Sequence, residues 1–122
     1  HFRGREVFAA AGVSLLPHLE GRTARAHAPE HAVGYALFKD RALFQGDHKL
    51  VRVGPPTSDG AWHLFDLRRD PSELHDLAER EPERFARMQA LYAEYARAYG
   101  VVSAPDDFDV FRALTHEREP SR

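Results

Sequence analysis

Cysteine does not occur anywhere in this sequence. Disulfides, thiolate metal sites and a cysteine nucleophile are therefore excluded. The compartment stays open, because an exported domain without disulfides has the same composition. Long hydrophobic runs are also missing, and nothing approaches the roughly 18 apolar residues of a membrane span. No signal-peptide pattern stands at the start. An excess of one charge is lacking as well. Seventeen Lys and Arg against nineteen Asp and Glu leave a net charge of −2, spread along the chain. That excludes the concentrated basic face of a nucleic-acid binder. Neither a membrane nor a nucleic acid is expected as a partner.

What is present fits one globular domain. The 122 residues are 43% hydrophobic and 30% charged, enough for one modest core and little room for a deep site. The sequence opens at His1 rather than Met, and the expectation is a fragment or a processed chain.

Near the start, "GVSLLPHLEG" places Leu15, Leu16 and Leu19 on one helical face, with Ser14 as a cap, Pro17 early and Gly21 as a stop. Arg22 to His31 reads as loop. Val33 to Phe38 is a short apolar or aromatic run, and "RALFQGDHKLVRV" from Arg41 to Val53 carries Gly46-Asp47 at its centre, a hairpin signal. "GPPTSDG" must be loop, since two prolines cannot sit inside a central strand, and Trp62 to Leu67 supplies another strand. The sum is an antiparallel meander of about four strands.

From Asp70 the period changes. Asp70, Pro71 and Glu73 form a capping box that predicts a short helix to about Leu77. A longer helix is predicted from about Pro82 to Gly100, with Phe85, Met88, Leu91, Tyr92, Tyr95 and Tyr99 as its apolar stripe. The fold class is thus α+β, a small antiparallel sheet packed on a long C-terminal helix. Residues 1–102 are expected to form the domain, and 103–122 an unassigned tail with a brief helix around Phe108 to Leu114 that then frays.

One mismatch bears on function. Leu43 with Phe44, Leu50 with Val51 and Leu64 with Phe65 are adjacent large apolar residues. Consecutive strand residues point to opposite faces, so both faces of the sheet are apolar, whereas a half-solvated sheet alternates. One helix covers one face. The other calls for a larger domain or a second copy of the chain, or else for the terminal arms to wrap over it.

The candidate chemical constellations are weak. "HAPEH", His27 to His31, matches the H-x-x-E-H zinc-hydrolase pattern. That chemistry needs both histidines on one helical face, and Pro29 breaks the helix, so a loop is expected. His48, His63 and His75 fall near one another with Asp47, Asp66, Asp70 and Asp76 around them. None of Ser14, Ser58, Ser72, Ser103 or Ser121 sits in a nucleophile elbow, so these groups read as polar surface. Asp106-Asp107 reads as a helix cap rather than a metal site. No residue is assigned as catalytic, metal-binding or substrate-binding from this chemistry.

In order, "GVSLLPHLEG", "GYALFKDRALFQGDHKLV", "WHLFDLRRDPSELHDLAEREPERF" and "YAEYARAYGV" resemble the C-terminal subdomain of type I sulfatases, in particular bacterial arylsulfatases. The family pattern runs G-x-S-L-L-P-x-L-x-G, then R-A-I/L-x-x-G-D-W-K-L-V, then L-Y-D-L-x-x-D-P-x-E-x-x-D/N-L-A, and closes with a helix ending in Gly-Val. Matching positions are Gly12, Ser14 to Pro17, Leu19, Gly21, Arg41, Ala42, Gly46, Asp47, Lys49 to Val51, Leu64, Asp66, Leu67, Asp70, Pro71, Glu73 and Asp76 to Ala78. The likeness spans about residues 4 to 102. His48 stands where the pattern has Trp, Phe65 where it has Tyr and Val13 where Arg is common. The change at His48 is expected to leave that sheet edge less firmly and more wetly docked.

The resemblance implies a sulfuric-ester hydrolase whose formylglycine, made within C-x-P-x-R or S-x-A-x-R, and whose calcium lie on a larger N-terminal domain. Neither motif occurs here, so no catalytic or metal residue carries over, and no cofactor is expected in this chain. It is expected to be inactive alone and to pack on the missing N-terminal sulfatase domain, shaping the rim of its cleft. The alternative is a non-enzymatic module that covers its second face by homodimerising. A bacterial source would place either one in the cytoplasm or the periplasm.

Overall fold

The first three β-prone runs pair as neighbours because two-residue turns join them, and a nine-residue loop, 53–61, returns the fourth beside the third. A computed structural model describes residues 3–6, 12–105, 107–109 and 112. Its elements are α1 (Leu16–Leu19), β1 (Ala32–Leu37), β2 (Asp40–Gln45), β3 (His48–Arg52), β4 (Trp62–Asp66) and α2 (Pro82–Ala98). The strands form one antiparallel sheet in the order β1-β2-β3-β4, which is the expected meander. Gly46 adopts a φ of 61° in the β2–β3 turn, the left-handed conformation a two-residue hairpin needs. No glycine marks the β1–β2 turn, where Phe38 itself takes a φ of 53°. Its ring stacks on Phe108 at 5.9 Å and its carbonyl accepts from the Ala104 amide at 3.4 Å, so contacts beyond the turn support that conformation.

Register decides what each face carries. Gly34, Leu43, Leu50 and Leu64 stand in one row across the four strands. The three leucines are fully buried beneath Met88 and Tyr92 of α2, each worth about 1.5–3 kcal/mol of apolar transfer. Gly34 ends the row because the Tyr95 ring occupies the space where a side chain would begin. The helix starts with Pro82 in its first turn. It ends as expected, with Gly100 at a φ of 63° and the Val101 amide donating to the Ala96 carbonyl at 2.8 Å. Tyr99 of the predicted stripe lies outside the core and is exposed.

The opposite face carries the row Val33, Phe44, Lys49 and Phe65 and the row Tyr35, Ala42, Val51 and His63. The two-faced sheet is thus real. The loop before β1 covers part of it: Ala26, His27, Ala28 and His31 line a hollow with Val33 and Phe44. Farther along, Tyr35 is 58% and Leu37 66% exposed. Arm wrapping therefore accounts for one end of the face and leaves the other open. Turn α1 also keeps Leu15, Leu16 and Leu19 exposed, while Ser14 Oγ accepts from the Leu16 amide at 3.3 Å.

The predicted helix after Asp70 does not form; residues 67–80 are turns and bends. Glu73 takes a φ of 56°, and its carboxylate reaches Lys49 Nζ at 2.6 and 2.8 Å instead of the cap. A charge-assisted pair with a distant strand outcompetes a local capping bond. Asp106 and most of the helix expected over Phe108–Leu114 lie outside the described residues. Among the described residues, no helix is long and apolar enough to cross a membrane.

Candidate functional site

The acids between Asp66 and Ala78 act on backbone amides. Asp66 Oδ1 accepts from the Arg68 and Arg69 amides at 3.0 and 3.3 Å. Asp70 Oδ2 accepts from the His75 amide at 2.7 Å. Asp76 Oδ1 accepts from the Leu64 amide at 3.0 Å and from the Ala78 amide at 2.9 Å. Burial works against ionisation of Asp70 and Asp76, yet the amide bonds outweigh it and hold both carboxyls below the ordinary range. Leu77, between these acids and α2, packs against the core and donates its amide to the Leu64 carbonyl at 2.8 Å.

Of the three histidines expected to lie together, each finds its own acid. His48 faces the helix side, with Nε2 3.9 Å from Glu81 at the start of α2. His75 is exposed beside Asp70, with Nδ1 3.4 Å from Oδ2. His63 projects from the open face, with Nδ1 2.8 Å from Asp76 and Nε2 3.0 Å from Asp59. The Asp59 hydrogen bond is the main cause that raises the His63 pKa, burial opposes it, and Asp76 adds to the rise. Asp59 is held low by the Ala61 amide and then by His63.

This arrangement is no nucleophilic triad. Ser58 Oγ lies 3.4 Å from Asp59, not from His63, so a carboxylate occupies the place where a base would stand between acid and nucleophile. Asp59 is the member that sequence reasoning missed. Its signal was the Asp-Gly turn four residues before His63. Two further pairs, Arg25 with Asp47 at 3.0 Å and Lys49 with Glu73, were also not anticipated. The Arg25 hydrogen bond holds the Asp47 carboxyl below its usual range.

His27 and His31 stack at 4.9 Å in a loop with no helix beneath them, as Pro29 requires. Ser14 precedes α1, Ser72 and Ser103 are exposed in turn and coil, and Ser121 lies outside the described residues. Calcium takes six to eight oxygen ligands. The carboxylates of Asp66, Asp70 and Asp76 are already committed to amides, and among the described residues no three His, Asp or Glu are placed to hold a metal. These donors do not fit a calcium cage.

The fold defines an α+β unit, a four-stranded meander with one helix on one face and a partly open face behind. No family model matches the chain. Over 108 residues, 88% of its length, it is 32% identical to an uncharacterized sulfatase of Schizosaccharomyces pombe, of which it covers 19%. Its fold matches BT4656, solved in complex with its substrate D-glucosamine-2-N,6-O-disulfate, with a TM-score of 0.58 and 20% identity over 87% of this chain and 23% of that one. The sequence likeness and the shared α+β fold together support a sulfatase C-terminal subdomain. The chain spans about a fifth of the length of the sulfatase it matches.

Proposed function

We propose that this chain is the C-terminal part of a sulfuric-ester hydrolase, inactive alone, whose role is to pack on the larger catalytic portion and shape the rim of its cleft. One observation carries this reading. On the sheet face away from α2, Tyr35, Leu37, Ala42, Phe44 and Val51 line a shallow, apolar groove of about 370 Å³. An exposed apolar patch of this kind marks an interaction surface. The likeness to about a fifth of a sulfatase supports the larger portion as its partner. Formylglycine and calcium belong to that portion, as does any sulfate-ester substrate.

Two measurements test the reading. The chain alone, with an aryl sulfate and calcium, should show no turnover above buffer; clear turnover overturns it. In sedimentation the chain should run as a monomer that binds an apolar dye, and Leu37→Asp should weaken that binding. A stable dimer that excludes the dye would instead assign the groove to a second copy of the chain.

A further inference from the structure

An ionised carboxylate only accepts hydrogen bonds, and a neutral imidazole has one donor nitrogen and one acceptor. Both nitrogens of His63 face carboxylates, Asp76 at 2.8 Å and Asp59 at 3.0 Å. Only the imidazolium, with two N–H groups, satisfies both contacts. A neutral ring must turn a lone pair toward one of the two acids.

The two acids are held unequally. Asp76 is fixed by the Leu64 and Ala78 amides, and Leu77 beside it is anchored in the core. Its side chain is 38% exposed, against 61% for Asp59. Apart from His63, Asp59 accepts from the Ala61 amide two residues on, at 2.8 Å, and from Ser58 Oγ at 3.4 Å. The first end of its loop is anchored separately, by the Gly54 amide on Asp40 at 2.9 Å and by Lys39 Nζ on the Pro55 carbonyl. The other end is held by the Ser58 amide on the Gly54 carbonyl at 3.4 Å and is tied back to β4 through Asp59 and His63.

Arg52 is a basic group beside this loop, its Nη2 3.6 Å from the place a Cβ on Gly60 would take. From β3 the residue facing His63 is Val51, and Lys49, two positions along, is committed to Glu73. On its own strand the Phe65 ring stacks at 6.3 Å. The charged groups acting on His63 are Asp59 from the loop and Asp76 from the turn.

We propose that His63 is a pH-operated latch. Protonated, it ties the 58–60 end of the loop to β4 through Asp59; on losing the Nε2 proton it keeps Asp76 on Nδ1–H and releases that end. His63 shares a row with Tyr35, Ala42 and Val51, so the latch borders the open apolar face. Its opening alters the rim of that face without touching the core.

An NMR titration of the imidazole nitrogens, with amide hydrogen exchange corrected for its intrinsic pH dependence, tests the latch. His63 should titrate above the histidines of the urea-unfolded chain, and its neutral form should carry the proton on Nδ1. Exchange of the amides at 59–61 should rise about five- to thirtyfold as His63 deprotonates, the ratio expected for losing one such contact. Asp59→Asn, an exposed change, should move the His63 titration toward the unfolded value and abolish the exchange step. His63→Gln, which cannot titrate, should give a flat profile. A neutral ring protonated on Nε2, an exchange step that survives in His63→Gln, or an Asp59→Asn chain with unaltered His63 titration would each overturn the proposal.

Discussion

Asp76 closes the sheet edge at Leu64. Strand β4 ends the order β1-β2-β3-β4, so the Leu64 amide and carbonyl point away from the sheet. The Asp76 carboxylate takes that amide at 3.0 Å, and the next residue, Leu77, donates its own amide to the Leu64 carbonyl at 2.8 Å. A side chain and one backbone group thus do the work of a fifth strand, which removes an open edge that would invite pairing with another chain.

That relationship predicts the outcome of two substitutions at one position. Asp76→Ala leaves the outward Leu64 amide without its acceptor, and the loss expected for removing such a cap is about 1–2 kcal/mol. Asp76→Asn keeps an oxygen for both amides and should cost less, while it takes away one of the charges that raise the His63 pKa. Urea unfolding measures the first effect and a histidine titration the second. Equal losses from Ala and Asn would show that charge, not amide capping, is the main contribution. The D/N alternative in the resembled pattern follows from the same chemistry, since either residue presents the oxygen.

Gly34 makes a second, sign-reversed prediction. A glycine inside a strand is ordinarily destabilising by about 0.5–1 kcal/mol relative to alanine, so Gly34→Ala would normally help. Here the added Cβ would stand 2.4 Å from Tyr95 Cδ1. Overpacking of that kind costs about 1–3 kcal/mol. Denaturant unfolding should show the loss, and the same change in a Tyr95→Ala background should be much milder, since the two residues share one space. A gain in stability from Gly34→Ala alone would place the ring elsewhere.

The strands and the long helix were legible because local signals and tertiary packing agree there. Gly46-Asp47 marks the hairpin, the prolines of "GPPTSDG" end β3, and the stripe of Met88, Tyr92 and Tyr95 fits the helical period. Adjacent apolar pairs such as Leu43-Phe44 also revealed a second face in need of cover. The turns from Asp66 to Ala78 were not legible. Their capping box is real as a pattern, but Lys49 lies 24 residues from Glu73 and Leu64 lies 12 from Asp76, and these distant partners override the local helix. The His63 site was half visible for the same reason. Asp76 was counted in the neighbourhood and Asp59 was not, because which acids reach the ring depends on how two loops meet across β4.

Tyr92 carries a prediction of the opposite kind. The residue is 7% exposed, its ring lies 5.0 Å from Trp62, and among the described residues its hydroxyl is buried without a hydrogen-bond partner. Burial raises its pKa and Arg41 acts against the rise. Tyr92→Phe keeps the packing and removes the unsatisfied group, so stability should be unchanged or up to about 1 kcal/mol higher. A loss larger than that in urea unfolding would mean that the hydroxyl is bonded in solution.

Stability should fall on both sides of a mildly acidic optimum, and the two limbs have separate causes. Asp47, Asp59, Asp70 and Asp76 all have folded pKa values below the ordinary 3.8. Their contributions are complete above the unfolded carboxylate range and are lost as pH falls through the depressed folded values, so unfolding should set in below about pH 4. His63 has the reverse sign. Its folded pKa lies above the ordinary 6.5, so its contribution is complete below that value and is lost as pH rises through the folded one. Thermal melts across this range should show the alkaline limb vanish in His63→Gln while the acid limb stays. In Asp76→Asn both limbs should flatten, because that one carboxylate serves the amides on the acid side and the imidazolium on the other. An alkaline limb that persists without His63 would assign it to another group.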